Sequence, residues 1–293
     1  MKDWPFDEDF LRRIRGLRFL RLPAARRGWE EAGRGTRSGG FLEFEEHRRY
    51  CPGDDPRTLD WNVTARTGRA HVKRFRREDE GAVAILVDAS ASMDRGEPNK
   101  FDVARRLAAA LALVTLAGGA RLRIGVAADG GCRWWRPLRG TPGFPEALRS
   151  LAAMRIAARC RLGDALRSGF SAFRDPSRLF VLSDLLERPD ARRSLRAVRA
   201  AGSEPVLVQI LSPQEIEPPL RGAVRVRDCE SGEERDVFLD PERQVAYRDG
   251  LERLLESWRQ FAARHSMEHF FVPAGANLVD FVVRELRQRR VLD

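Results

Sequence analysis

A doubly wound α/β domain with a mostly parallel central sheet is what this 293-residue sequence predicts. Three observations carry that reading. Val83 to Val87 form an unbroken apolar run rich in β-branched residues, as a strand buried on both faces requires. Similar runs recur at Arg178 to Asp184, Pro205 to Leu211 and His269 to Val272, alternating with stretches of helical periodicity. The first run ends abruptly in Asp88-Ala-Ser90-Ala-Ser92, which puts three oxygen-bearing side chains where a strand hands over to a helix. In open α/β sheets, ligands bind at that carboxyl end.

In chain order, Phe10, Ile14, Leu17 and Leu20 to Leu22 alternate with arginines as an amphipathic helix that Pro23 ends. Arg26 to Gly40 is a Gly/Arg-rich arm without apolar periodicity, so residues 1–40 read as a helix plus a basic arm. Phe41 to Glu46 is a strand candidate, Pro52-Gly53 a turn, and Asp54-Asp55-Pro56 starts a helical turn that should point Leu59 and Trp61 inward. His71 to Glu78 reads as an edge strand, closing a small β-rich region over 41–80.

The larger domain, 81–293, opens with the central strand. Lys100 to Leu116 is a helix with Phe101, Ala104, Leu107, Ala108, Leu111 and Val114 on one face, and Pro98-Asn99 is its start signal. Leu122 to Ala127 and Cys132 to Leu138 are strands about the hairpin signal Asp129-Gly130-Gly131. Helices follow at about Gly143 to Met154 and Gly163 to Phe173. Val224 to Phe238 holds two strand-like runs about Ser231-Gly232, a hairpin insertion within about 213–240. Helices from Pro241 to Arg264 and Asn277 to Arg290 flank the last strand.

One carboxylate and two hydroxyls at Asp88, Ser90 and Ser92 form a hard, oxygen-only set suited to Mg²⁺ or Mn²⁺. The competing reading is that they satisfy turn and helix-start N–H groups.

The run YCPGDDPRTLDWNVTARTG, followed by HVKRFRRE and by the strand ending in DASASM, resembles the bacterial family called domain of unknown function 58. The resemblance extends from about Phe41 to the end of the chain. It implies a sheet of von Willebrand factor A type and an operon neighbour, a MoxR-type AAA+ ATPase, as partner. It also makes Asp88, Ser90 and Ser92 the first part of a metal-ion-dependent adhesion site, with Asp184 reaching the ion through water. Asp54, Asp55, Arg57, Asp60, Trp61 and Arg66 belong to the family signature. Their residue types suggest a structural role, with Asp and Arg paired across a turn and Trp61 a buried anchor. The adhesion-site pattern adds a threonine, and here Cys160 of Cys160-Arg161-Leu162-Gly163-Asp164 stands in its place. A thiol is a poor ligand for a hard cation, and Arg161 adds repulsive charge. Asp164 either turns inward to compensate or serves a helix amino-terminus. The expectation is weak Mg²⁺ or Mn²⁺ binding that strengthens when a partner donates an acidic oxygen.

Composition narrows the alternatives. Cys51, Cys132, Cys160 and Cys229 are scattered without a CxxC pair, so neither a zinc ribbon nor a disulfide framework is indicated. The start is acidic and broken by proline, and about 18 uncharged apolar residues nowhere run together, which predicts a cytoplasmic protein without a membrane span. The net charge of +10 is spread along the chain, and no nucleic-acid module signature accompanies it. Ser90, Asp184 and His269 follow the Ser, Asp, His order of α/β-hydrolases, but Asp88 and Ser92 occupy the places a nucleophile elbow needs small, and His269 lies inside a strand. There is no GxxxxGK[ST] loop. The sequence therefore predicts a non-enzymatic protein-binding module with a degenerate metal site. A metal-independent scaffold of the same fold is the alternative.

Overall fold

The structure, a computed structural model, describes residues 16, 17, 19, 22, 42–51, 59–77, 81–128, 130–157, 160–169, 177–186, 189–229 and 232–292. The chain forms two compact units, Ala25–Glu80 and the remainder, Met1–Ala24 with Gly81–Asp293.

In the smaller unit, β1 (Leu42–Arg49) pairs antiparallel with β2 (His71–Arg77), with a bulge between Phe44 and Glu46. Between them lies α1 (Trp61–Thr67). Its N-cap is Asp60, whose carboxylate accepts the N–H groups of Asn62 at 2.9 Å and Val63 at 3.3 Å. Leu59 bridges to Val72. Trp61 corrects an expectation: it is 70% exposed on the first turn of α1, not an inward anchor. The reason is local, because Asp60 takes the cap and fixes Trp61 at the first helical position. Arg66 is exposed in the last turn. Asp54, Asp55 and Arg57, with the Asp–Arg pairing expected of them, lie outside the described residues, as does the basic arm.

The larger unit is a six-stranded sheet. Its strands are β3 (Ala82–Asp88), β4 (Arg121–Ala128), β5 (Gly131–Trp134), β6 (Arg178–Ser183), β7 (Glu204–Leu211) and, at the far edge, β10 (Glu268–Pro273). The order is β10-β7-β6-β3-β4-β5, and every pairing is parallel except the β4–β5 hairpin. The strand expected to run to Leu138 stops at Trp134, and Leu138 returns as an isolated bridge to Leu122. All seven residues of β3 are buried, and alternation sorts them. Val83, Ile85 and Val87 join one core layer with Leu107 and Leu111, while Ala84 and Leu86 join the other with Leu166, Leu195 and Trp258. Two buried faces are why the run reads as continuously apolar.

The helices of this unit are α2 (Lys100–Ala117), α3 (Phe144–Ala152), α4 (Leu162–Ser168), α5 (Pro189–Ala200), α6 (Pro213–Ile216) and α7 (Pro241–Arg264). The α5 helix is absent from the sequence reading. Ala191, Leu195 and Val198 give it a buried i, i+4, i+7 stripe, but its arginines dilute the apolar signal. After α6, β8 (Gly222–Arg227) and β9 (Glu234–Leu239) form the expected hairpin insertion as a separate two-stranded sheet. The closing helix is interrupted by a π-type stretch at Phe281–Glu285. The helix expected over Phe10 to Leu22 falls mostly outside the described residues. Near its end Phe19 makes an antiparallel bridge to Leu292 instead of a helical turn.

Candidate functional site

The chain winds outward from β3 to β4 on one side and from β6 through β7 to β10 on the other, so the winding reverses between β3 and β6. A crevice at the carboxyl ends is expected at this reversal. Val87 pairs with Leu182, which brings the next residues, Asp88 and Ser183, and the loops beyond them side by side.

Asp88 is 4% exposed, and its carboxylate is encircled by donors. The Ser90 N–H donates to Oδ1 at 2.9 Å, the Ser183 hydroxyl to Oδ2 at 2.6 Å, and the Cys160 thiol approaches Oδ1 at 3.5 Å. Burial raises the Asp88 pKa above its ordinary value, the charge of Asp184 adds to this, and the Ser183 and Ser90 bonds pull it partly back. Ser90 Oγ lies 2.9 Å from Ser92 Oγ. Asp184 follows β6. Its Oδ1 accepts the Leu186 N–H at 3.3 Å and its Oδ2 accepts a hydrogen bond from Lys100 Nζ at 2.9 Å. Lys100 also donates to Glu215 of α6 and is wholly buried. Burial alone would lower its pKa, but the two carboxylates outweigh that and hold it above its ordinary value.

Of the expected site residues, Asp88, Ser90, Ser92, Asp184 and Cys160 therefore cluster through their side chains or adjoining loops. Cys160 sits against Asp88 and Ala127 O, the latter at 3.2 Å. Asp164 stands in the first turn of α4 and pairs with Arg167. The sequence reading missed Ser183, Lys100 and Glu215. One signal was available for Lys100: it is one of three lysines among 53 basic residues, placed where a compact ammonium suits a closed space better than a guanidinium.

The donor set fits a hard divalent cation poorly. Each carboxylate oxygen of Asp88 and Asp184 already accepts a hydrogen bond, and an ammonium sits on Asp184. A dication held by that carboxylate would lie within about 5 Å of the ammonium, a repulsion on the order of 6 kcal/mol at an effective dielectric constant of about 20. Among the described residues no group of three or more His, Cys, Asp and Glu side chains is arranged to hold a metal.

The loop after β6 is held under strain. Leu185 has φ 52 while fully buried. Its N–H donates to Ser183 Oγ at 3.0 Å and its carbonyl accepts the Trp258 indole N–H at 2.8 Å. The next residue, Leu186, is 45% exposed.

His269 lies within 3.0 Å of Gln209 Oε1, and the Gln209 amide donates to the backbone carbonyl of Asp184 at 2.9 Å. Burial, helped by Arg289 and Arg259, lowers its pKa to about 4. The unfolded chain binds this proton from about 6.5 downward and the native chain only near 4, so stability is lost as pH falls through that window and is unaffected above it. Against a His269→Gln variant, the wild type is expected to lose about 2 kcal/mol of relative stability between neutral pH and pH ~4.5, after allowance for its partial exposure. Denaturant unfolding at both pH values measures it.

The fold and its convergent loops define an α/β domain with a buried polar cluster at the topological switch point. The chain belongs to the family described as "Protein of unknown function DUF58", whose model matches residues 46–257. It is 36% identical over 226 residues to the uncharacterized proteins Mb1516 of Mycobacterium bovis and Rv1480 of Mycobacterium tuberculosis, covering 75% of this chain and 69% of each relative. Among solved structures, the conserved hypothetical protein BatB of Bacteroides thetaiotaomicron is 15% identical with a TM-score of 0.44, covering 71% of this chain and 97% of that one. The SpRpn10 VWA domain is 12% identical with a TM-score of 0.37, covering 70% and 94%. At those scores the architecture rests on the strand order itself.

Proposed function

We propose that this chain is a non-enzymatic protein-binding module that docks a partner, a MoxR-type AAA+ ATPase, on the loops at the carboxyl ends of β3 and β6. The observation that carries the docking face is the strained loop at Leu185, which presents Leu186 to solvent beside the Asp88–Asp184 cluster. The Leu186 backbone N–H is held by Asp184, so an aliphatic anchor stands on an ordered turn with polar groups beside it, as a docking face needs. The cluster itself supports a binding role over a catalytic one. Ser90 is engaged with Ser92, and His269 is engaged with Gln209. The identity of the partner rests on the family resemblance, and an ATP-driven partner sets the module in the cytoplasm. No helix among the described residues is long and apolar enough to cross a membrane.

The test is affinity measurement between the full chain and the MoxR-type ATPase of the same host. Leu186→Arg is expected to weaken binding at least about tenfold with little change in Tm, because the side chain is already half in water. Undiminished binding by that variant would move the docking face elsewhere. Absence of binding by the wild type would remove the ATPase as partner.

A further inference from the structure

We propose that Lys100 is the resident cation of this site, its buried ammonium doing the electrostatic work of a divalent ion and locking three loops together without metal. The proposal rests on the site geometry and not on the identity of any partner.

Position makes the case first. Lys100 is the first residue of α2, with Asn99 as N-cap. A cation at a helix amino-terminus faces the positive end of the helix dipole, and a buried lysine also gives up its hydration. Among the described residues, the partners of its ammonium are not neighbours in the chain. The compensation comes from across the sheet: Asp184 Oδ2 at 2.9 Å and Glu215, which belong to the segments after β6 and β7. One ammonium thus joins the ends of three chain segments.

The Glu215 contact is built, not incidental. Its Oε2 accepts the Ser212 N–H at 2.8 Å while the Ser212 hydroxyl receives the Glu215 N–H at 3.2 Å, a reciprocal capping box that fixes the four-residue α6. Gln214 exchanges two 3.1 Å hydrogen bonds with the backbone of Glu97 in the segment leading into α2. The Tyr247 hydroxyl donates to the Glu215 carbonyl at 2.5 Å. Gly96, at φ 86, lets that segment close on Ser212, since a Cβ there would stand 2.1 Å from Ser212 Cβ. Four contacts outside the ion pair therefore hold α6 against Lys100. The same closure engages both oxygens of Asp184 and sets an ammonium where an incoming metal ion would meet its positive charge.

The experiment is carried out on the full chain with Mn²⁺ as the probe, read by calorimetric titration and by thermal unfolding with and without chelator. Wild-type protein is expected to show no stoichiometric Mn²⁺ binding at micromolar concentrations and a Tm that moves by no more than about 1 °C, since a ligand that does not bind the native state does not shift unfolding. Lys100→Met keeps the chain length and removes the charge, leaving the buried Asp184 and the partly buried Glu215 without their ammonium. Its Tm is expected to fall by roughly 8 °C, and Mn²⁺ is expected to recover part of the loss. Lys100→Arg is not expected to substitute, because a planar guanidinium needs more room than a fully enclosed ammonium. Micromolar Mn²⁺ binding by the wild type with a rise in Tm overturns the proposal, and so does a Lys100→Met variant as stable as the wild type. Should that variant not fold, the wild-type titration decides alone. Neither readout involves the ATPase, so loss of the docking face and loss of the resident cation are separate results.

Discussion

Trp258→Ala is expected to destabilise the protein by about 4 kcal/mol and to lower Tm by ~10 °C, the largest single effect foreseen for a core residue. The indole is 1% exposed and packs edge-on against Phe261 with ring centroids 5.6 Å apart. The Arg192 guanidinium lies 4.6 Å above it. Truncation removes a large apolar volume that the surrounding helices cannot refill, because Leu166, Leu195 and Leu207 of the same layer are already fully buried. It also deprives the Leu185 carbonyl of its 2.8 Å partner, and that carbonyl belongs to a residue held at φ 52. The effect should therefore reach the docking loop. Trp258→Phe separates the two contributions: it keeps most of the volume, loses the N–H, and is expected to cost about 1–2 kcal/mol. Chemical denaturation gives the stability, and partner affinity measured on the folded Phe variant reports the loop.

The contrast between Trp258 and Asp184 shows which parts of this molecule were legible in its sequence. Strands β3, β6 and β7 are nearly continuous apolar runs because both sheet faces are covered, and such runs are readable without knowing what covers them. The convergence of Asp88 with Asp184 follows from the same rule, since parallel neighbours end at the same edge. Lys100 is different. Its role depends on Glu215, which is 115 residues away and lies on a four-residue helix that no periodicity could announce. Trp61 differs from expectation for a related reason: a helical turn started at Asp54-Asp55-Pro56 would point it inward, yet the cap at Asp60 starts the helix at Trp61 itself and decides which way it faces. The α5 helix was lost to composition, its arginines masking a stripe of three apolar residues. Local patterns fixed the sheet, while the charged lock above it is a long-range fact.

Asp88→Ala is expected to cost about 3 kcal/mol, nearly as much as the loss of Trp258, although the side chain is far smaller. The carboxylate is an acceptor at the meeting point of donors from three segments: the Ser90 N–H, the Ser183 O–H and the Cys160 S–H. Alanine leaves the backbone N–H of Ser90 buried without its 2.9 Å acceptor, and water has little access to a position 4% exposed. Ser183 retains one use for its oxygen, since it still accepts the Leu185 N–H at 3.0 Å, but its proton loses its acceptor. Asp88→Asn sharpens the test. Its amide oxygen can serve Ser90 or Ser183 but not both, and its NH₂ then faces another donor, unless the Ser183 hydroxyl turns to accept. That one rotation lets Asn recover part of the loss, so the expected order is wild type above Asn above Ala, with Asn costing about half as much as Ala. Mutating Ser183→Ala as well should narrow the advantage of Asn over Ala to what its amide oxygen still gives the Ser90 N–H, because the hydroxyl that turned to accommodate the amide is gone. Equal stability of all three proteins at position 88 in denaturant unfolding would mean that water enters the crevice and satisfies the donors, and that Asp88 does not organise the loops.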